Sequence, residues 1–266
     1  MTRLELLFKA REGKTVLAEQ FGQGALKVLR PFELESGRVL LQILNVGPGI
    51  MAGDLYKLYI KLASGAKVVI VNQSASKLHS MPEGRSACQV IHIELETGAE
   101  LEYYPGLSIP FKDTQFKNRV AVDLATGAKF ALLESWAMGR IAFHERFLFR
   151  KLSSQIKVRQ TGKLLYADAL ELDADSARLG LSDAHSYLAT GLWVWDRLPE
   201  TTKPEPIRAI RKEENVFVSE AFEPDKLYLR ALANDSLWLS QTTQRFINTW
   251  RLQIGFSELE FDRYRS

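Results

Sequence analysis

Apolar and polar positions alternate with period two through most of the first two-thirds of the chain. Val39, Leu41 and Ile43 alternate within Arg38–Val46, and Tyr56, Leu58, Ile60 and Leu62 alternate with Lys57, Tyr59 and Lys61. That spacing is the mark of a strand with one buried face. Further strands are predicted at Val68–Val71, Leu101–Tyr104, Phe130–Leu133, Ile141–Leu152, Gln155–Gln160, Lys163–Asp173, Tyr187–Trp195 and Lys226–Leu232. Helical spacing is convincing at Ser236–Leu252, where Leu239, Phe246 and Trp250 share a face and Asp235 or Ser236 can cap. Pro206 suits the first turn of a shorter helix over Ile207–Glu214. Ser74–Gln89 and Gly106–Gln115 are turn-rich and read as exposed connections. Leu198–Pro206 reads as a loop, Lys203–Glu214 as a solvated charged stretch, and Ser257–Ser266 as a loose tail.

One corner recurs. Leu62-Ala-Ser-Gly-Ala66, Leu95-Glu-Thr-Gly-Ala99 and Leu124-Ala-Thr-Gly-Ala128 share the form Leu-x-Ser/Thr-Gly-Ala, and each joins one apolar strand to the next. Repetition at near-constant pitch suits stacked β layers or a β-solenoid; an ordinary sandwich with similar hairpins is the alternative. Strands come first and helix last, which argues against a doubly wound α/β fold. The expected class is mainly β, a stacked-layer or β-helical-like fold with a few helices in the C-terminal part.

Composition narrows the function classes. The chain has 266 residues and a net charge of +3, with Lys and Arg interleaved with Asp and Glu, so no nucleic-acid footprint is expected. Cys88 is the single cysteine, which fits a reducing compartment. No apolar run approaches the ~20 residues of a membrane span. Met1–Ala10 lacks the apolar run of a signal peptide, so the expected address is the cytoplasm.

Asn45–Asp54 carries Gly47, Gly49 and Gly53. Such a turn can cradle a phosphate on backbone N–H groups, but phosphate loops run into a helix. Here a strand follows and the Walker Lys-Ser/Thr is missing, so the turn reads as a tight connection.

Three carboxylates keep apolar company. By alternation Glu134 shares a face with Phe130, Leu132 and Trp136; Glu145 with Ile141, Phe143, Phe147 and Phe149; Asp168 with Tyr166, Leu170 and Leu172. A buried carboxylate needs a cation, hydrogen-bond donors or water. Salt-bridged core acids satisfy that need structurally. Two functional uses remain: an acid–base pair of a carbohydrate-active β-solenoid enzyme, or the lining of a wet path that passes a divalent cation. His79, His92, His144 and His185 form no metal-ligand spacing, and Cys88 stands alone, so no tight closed site is expected.

The landmarks, in order, resemble one family. They are Gly47-Pro-Gly-Ile-Met-Ala-Gly-Asp54, Asn72-Gln-Ser-Ala-Ser-Lys77, Leu101-Glu-Tyr-Tyr-Pro105 with Ile109-Pro-Phe111, Glu134-x-x-x-x-Gly139-Arg140 leading to Glu145, Gly162-Lys-Leu-Leu with Asp168, and the helix bearing Trp250. Together they make the chain resemble the urease accessory proteins UreD and UreH over roughly Arg30 to Gly255. The resemblance implies a single domain over 1–266: mostly strands to 197, a helix-containing part over 198–256, and a tail. It implies a chaperone or scaffold without catalysis. Such a protein binds the urease apoprotein and UreF, reaches the GTPase UreG through UreF, and helps deliver nickel to the urease active site. A water-filled internal channel is also implied, with Ni2+ in transit and no tightly bound cofactor. On that reading Glu134, Glu145 and Asp168 line the path, with Asp54 a weaker candidate and His79 and His144 below it.

Overall fold

The computed structural model describes residues 1–173, 175, 185–195 and 216–261; the expected loop Leu198–Pro206, the charged stretch Lys203–Glu214 and the helix Ile207–Glu214 lie outside the described residues. Strands run in chain order as β1 Thr2–Arg11, β2 Lys14–Gln23, β3 Leu26–Val28, β4 Phe32–Glu33, β5 Val39–Asn45, β6 Leu55–Leu62, β7 Lys67–Asn72, β8 Ser76–Leu78 and β9 Ala87–Leu95. They continue as β10 Glu100–Pro110, β11 Gln115–Leu124, β12 Lys129–Ala137, β13 Gly139–Arg140, β14 Glu145–Arg146, β15 Lys151–Gln160, β16 Lys163–Asp173, β17 Tyr187–Val194, β18 Val216–Glu223 and β19 Lys226–Ala233. Helix α1, Ser236–Gln253, follows.

Two large sheets face each other. The first has seven strands in the order β16-β15-β11-β9-β6-β1-β2; the second has ten, in the order β18-β19-β17-β12-β10-β7-β5-β3 with β4 beside β5 and β8 beside β10. From β5 to β15 the chain shuttles between them, and each return adds a parallel strand beside the last: β6, β9, β11 and β15 in one sheet, β5, β7, β10 and β12 in the other. This is the solenoid-like stacking that the repeated corner predicts.

The corners show why that sequence repeats. In each, the alanine N–H closes a turn onto the residue three back: Ala66 onto Ala63, Ala99 onto Glu96, Ala128 onto Ala125. The glycine before it takes φ near +70°: Gly65 at 71°, Gly98 at 67°, Gly127 at 71°. A side chain is disfavoured there, so glycine is required. Glu100 N donates to Ala66 O and Lys129 N to Ala99 O, which bonds each corner to the next. The alanines are buried (0–3% exposed), where a larger side chain would force the layers apart.

Between the sheets the core divides in two. One cluster lies toward the corners and includes Phe8, Leu58, Ile91, Val120, Phe130 and Leu192. The other lies toward the opposite loops and includes Ile50, Phe116, Trp136, Met138, Phe149 and Leu188. A third cluster is on the far face of the ten-stranded sheet. There α1 lays Leu239, Phe246, Ile247 and Trp250 over Trp193, Trp195 and Leu229. Asp235 caps the helix, accepting from Leu237 N at 2.7 Å and Trp238 N at 3.3 Å.

Three expectations are corrected. Ser74–Gln89 and Gly106–Gln115 are not wholly turns. A register break between Tyr103 and Gly106 lets β10 resume to Pro110, where it pairs with β8. Ile141–Leu152 is not one strand. His144 and Phe147 take positive φ (59° and 54°) around a single helical turn and the short β13–β14 pair, so alternation fails there. Nor is the tail loose throughout: Leu259 and Phe261 are buried, and Leu259 N donates to Asn248 Oδ1 of α1 at 2.9 Å.

Candidate functional site

A polar row crosses the molecule between the two inner clusters. In the seven-stranded sheet, Thr2, Tyr56, Gln89, Asn118 and Ser154 stand side by side on β1, β6, β9, β11 and β15. Opposite them on the ten-stranded sheet, Glu134, Thr190 and Arg230 align on β12, β17 and β19. All face inward by alternation, because their neighbours two residues away belong to the inner clusters. Five strands at ~4.8 Å spacing make the longer side of the row roughly 19 Å long.

Glu134 sits mid-row, 6% exposed. Its Oε2 accepts from Asn118 Nδ2 at 3.2 Å, and its Oε1 from Ser154 Oγ at 3.0 Å and Trp136 Nε1 at 3.1 Å. Every one of these donors is neutral. Burial pushes the Glu134 carboxyl above the usual carboxylate range, and the Trp136 and Ser154 hydrogen bonds only partly offset that. Gln89 Nε2 extends the network to Asn118 Oδ1 at 3.2 Å. A cavity of about 60 Å³ opens beside Glu134, lined also by Asn45, Asn72, Ser76 and Asn118. That is room for several waters among polar partners.

The other expected residues stand elsewhere. Asp168 faces inward on β16 as alternation predicts, at the open end of the row, and Arg230 Nη2 donates to it at 2.6 Å. Tyr166 and Tyr228 stack beside that pair, with centroids 5.6 Å apart. Glu145 is held by Arg140, whose Nε donates to Oε2 at 2.7 Å, and it also accepts from Lys112 N at 3.2 Å. It belongs to the loop end and not to the apolar strand face expected for it. Asp54 accepts from Met51 N at 2.8 Å and so ties its own turn. Gly49 in that turn has φ 139°, and a side chain there would meet Lys77 O at 2.5 Å and the His79 ring at 2.9 Å. The glycine therefore permits a close approach, not a phosphate cradle. His79 reaches Pro48 O at 2.9 Å, and His144 is exposed. The structure thus brings Glu134 and Asp168 to one row and leaves Glu145, on the short strand β14, and Asp54, in its turn, outside it. Among the described residues no three His, Cys, Asp or Glu side chains are grouped as a metal ion would need.

A second polar feature is buried beneath α1. Arg38, Glu102 and Arg251 are fully buried. Glu102 is paired with Arg251 and lies 3.5 Å from Arg38. Arg38 also meets Glu100 at 2.5 Å, Arg251 meets Glu35 at 2.8 Å, and Tyr104 OH donates to Glu102 Oε2 at 3.1 Å.

The family model described as "UreD urease accessory protein" matches residues 1–263. The chain belongs to the UreD family. It is 34% identical to urease accessory protein UreD 1 of Synechococcus sp. (strain JA-3-3Ab) over 274 residues, covering all of this chain and 97% of that protein. Against urease accessory protein UreD of Deinococcus radiodurans it is 34% identical over 194 residues, 72% of this chain and 70% of the relative. Urease accessory protein UreH of Helicobacter acinonychis is 27% identical over 179 residues, 66% of this chain and 68% of the relative. Membership supports a role in urease maturation, and the relatives carry accessory-protein names. No described helix of this UreD-family chain is long and apolar enough to cross a membrane.

Proposed function

We propose that this chain is a cytoplasmic scaffold of urease maturation that passes Ni2+ along the transverse polar row. In this reading it binds the urease apoprotein and UreF, connects through UreF to the GTPase UreG, and has no turnover of its own. Glu134 carries the proposal: it is a buried carboxylate met only by neutral donors, beside a polar cavity. A divalent cation leaving bulk water needs oxygen ligands throughout its passage. Amide, hydroxyl and carboxylate oxygens line the row, with space for water between them. One carboxylate among neutral groups is a weak ligand set, and because burial raises its affinity for a proton, proton and cation compete for it. Weak holding suits transit, since a cation held tightly is not released.

At the far end Asp168 offers a second carboxylate, pre-paired with Arg230. Glu145 and Asp54 stand outside the row, and their part in handling the cation is the weaker portion of the proposal. The test is co-expression of urease with the other accessory proteins, with and without this chain, followed by measurement of urease nickel content and activity. Loading that depends on this chain supports the scaffold role; equal loading without it contradicts it.

A further inference from the structure

The ten-stranded sheet has a gap in its hydrogen bonding beside Glu134. β7 pairs with β10 as far as Val71 beside Tyr104, and β8 takes up the pairing only from Ser76 beside Ser108. Residues 72–75 and 105–107, between those points, share no ladder pairing. On its other side β10 shifts register against β12 between Tyr103 and Gly106, one extra residue that bulges the strand. Gly106 takes φ 76° there, and a side chain placed on it would enter open space. Although β10 lies in the middle of the sheet, it is buried only from Glu100 to Tyr104 and becomes half-buried over 105–109.

Two cavities meet at this gap. The cavity at Glu134, about 60 Å³, lies between the sheets, and a second of about 360 Å³ lies on the outer face beside α1. Asn72, Ser74 and Ala75 line both. β10 divides its residues between them: Tyr103, Pro105 and Ser108 line the inner cavity, and Tyr104, Gly106 and Leu107 line the outer groove. Ser74 is exposed, so the shared wall reaches solvent. Gly106 is the cross-strand neighbour of Glu134, which sets the gap directly beside the carboxylate.

Charge favours this way in over the end of the row. At the row's open end Asp168 is paired with Arg230, and a fixed guanidinium there opposes an approaching cation. Among the described residues no Lys or Arg lines either cavity at the gap. The outer groove has an apolar floor of Leu133, Leu239 and Ile247, with the amides and hydroxyls of Gln73, Ser135, Ser240 and Gln244 around it. Asn72 and Ser74 in the shared wall offer neutral oxygens where a cation sheds water. We propose that the gap is a port, through which a hydrated divalent cation crosses the ten-stranded sheet between the groove beside α1 and the Glu134 cavity. The polar row is then entered at its middle. This inference rests on the cation-transit reading above and gives that transit a route.

The test reads access to the inner cavity in the isolated full chain. Cys88, on β9 of the other sheet, is replaced by Ser, and a single cysteine is placed in the cavity as Glu134→Cys or, in a second chain, Ser108→Cys. The probe is Ag+, a compact cation whose capture by the thiol is followed through the absorbance of the silver thiolate. Each chain is compared with and without Ala75→Phe, which puts a ring at a half-buried position of the shared wall. Circular dichroism confirms folding, and Ser108→Cys carries the test alone if Glu134→Cys does not fold. Capture should be prompt in the open chains, about tenfold slower or more with Ala75→Phe, and within about twofold of the open rate with Ala75→Ser. Equal rates with and without Ala75→Phe overturn the port, as does failure of the folded open chains to capture Ag+. Ala75→Phe alone, in the chain co-expressed with urease and the other accessory proteins, should also lower urease nickel several-fold. Slower Ag+ capture with undiminished nickel loading overturns the port as the cation's route. If urease loads equally without this chain, the transit reading itself fails; loading that needs the chain, with Ag+ rates unmoved by Ala75→Phe, strikes the port alone.

Discussion

Glu102 and Glu134 are both buried carboxylates on the ten-stranded sheet, and the protein treats them in opposite ways. Glu102, beneath α1, is met by Arg251, Arg38 and the Tyr104 hydroxyl. Its charge is matched, and with Glu35, Glu100 and Lys129 it belongs to a cluster that ties the helix to the strands. Glu134, between the sheets, is met by an amide, a hydroxyl and an indole. These hydrogen bonds satisfy its oxygens but supply no countercharge, and burial leaves the carboxyl protonated to higher pH than usual. A charge-matched ion cluster is a fastener. A carboxylate given donors but no cation, beside space for water, remains able to receive one.

The strongest challenge to this contrast is at Arg251. Arg251→Met should cost about 3–5 kcal/mol in chemical denaturation, because it strips Glu102 of its main partner while leaving it buried. A loss below ~1 kcal/mol would mean that the cluster is not a fastener. Glu134→Gln should behave oppositely, with little loss of stability or a gain. Its pH dependence sharpens the point. A carboxyl raised in the folded state holds its proton there more firmly than in the unfolded chain, so folding is favoured at low pH. That advantage is lost as pH rises from the unfolded carboxylate range through the raised folded value. Glu134→Gln removes the loss, so its stability relative to wild type should increase with pH. A constant difference across that range would argue that Glu134 is already charged when folded. The smallest effect is expected at Asp54→Ala, about 1 kcal/mol from one lost hydrogen bond to Met51 N. Unimpaired urease activation by that variant would confine Asp54 to its turn.

Much of the fold was legible because its determinants are local. The Leu-x-Ser/Thr-Gly-Ala corners mark the passages from one sheet to the other, and alternation placed Glu134 and Asp168 on the correct faces. Local reasoning failed where left-handed residues interrupt a strand, as His144 and Phe147 do around Glu145. It was also blind to Arg38 and Arg251, whose partners are distant in sequence; Glu102 and Arg251 are 149 positions apart. The polar row had a signal that went unused. Tyr56, Gln89 and Asn118 each lie six residues before the leucine of a corner, so aligning the repeats places polar residues side by side in successive layers. Taken one strand at a time, a single Gln or Asn among apolar residues carries no such message.

In the proposed nickel transfer it is the charge of Glu134, and not merely the shape around it, that serves. The direct measurement is the nickel content of urease co-expressed with the Glu134→Gln chain, alongside recovery of this chain in complex with urease and UreF. The complexes should stay intact, and the urease should carry several-fold less nickel than with the wild-type chain. Full nickel loading with the variant present as the sole copy would contradict it.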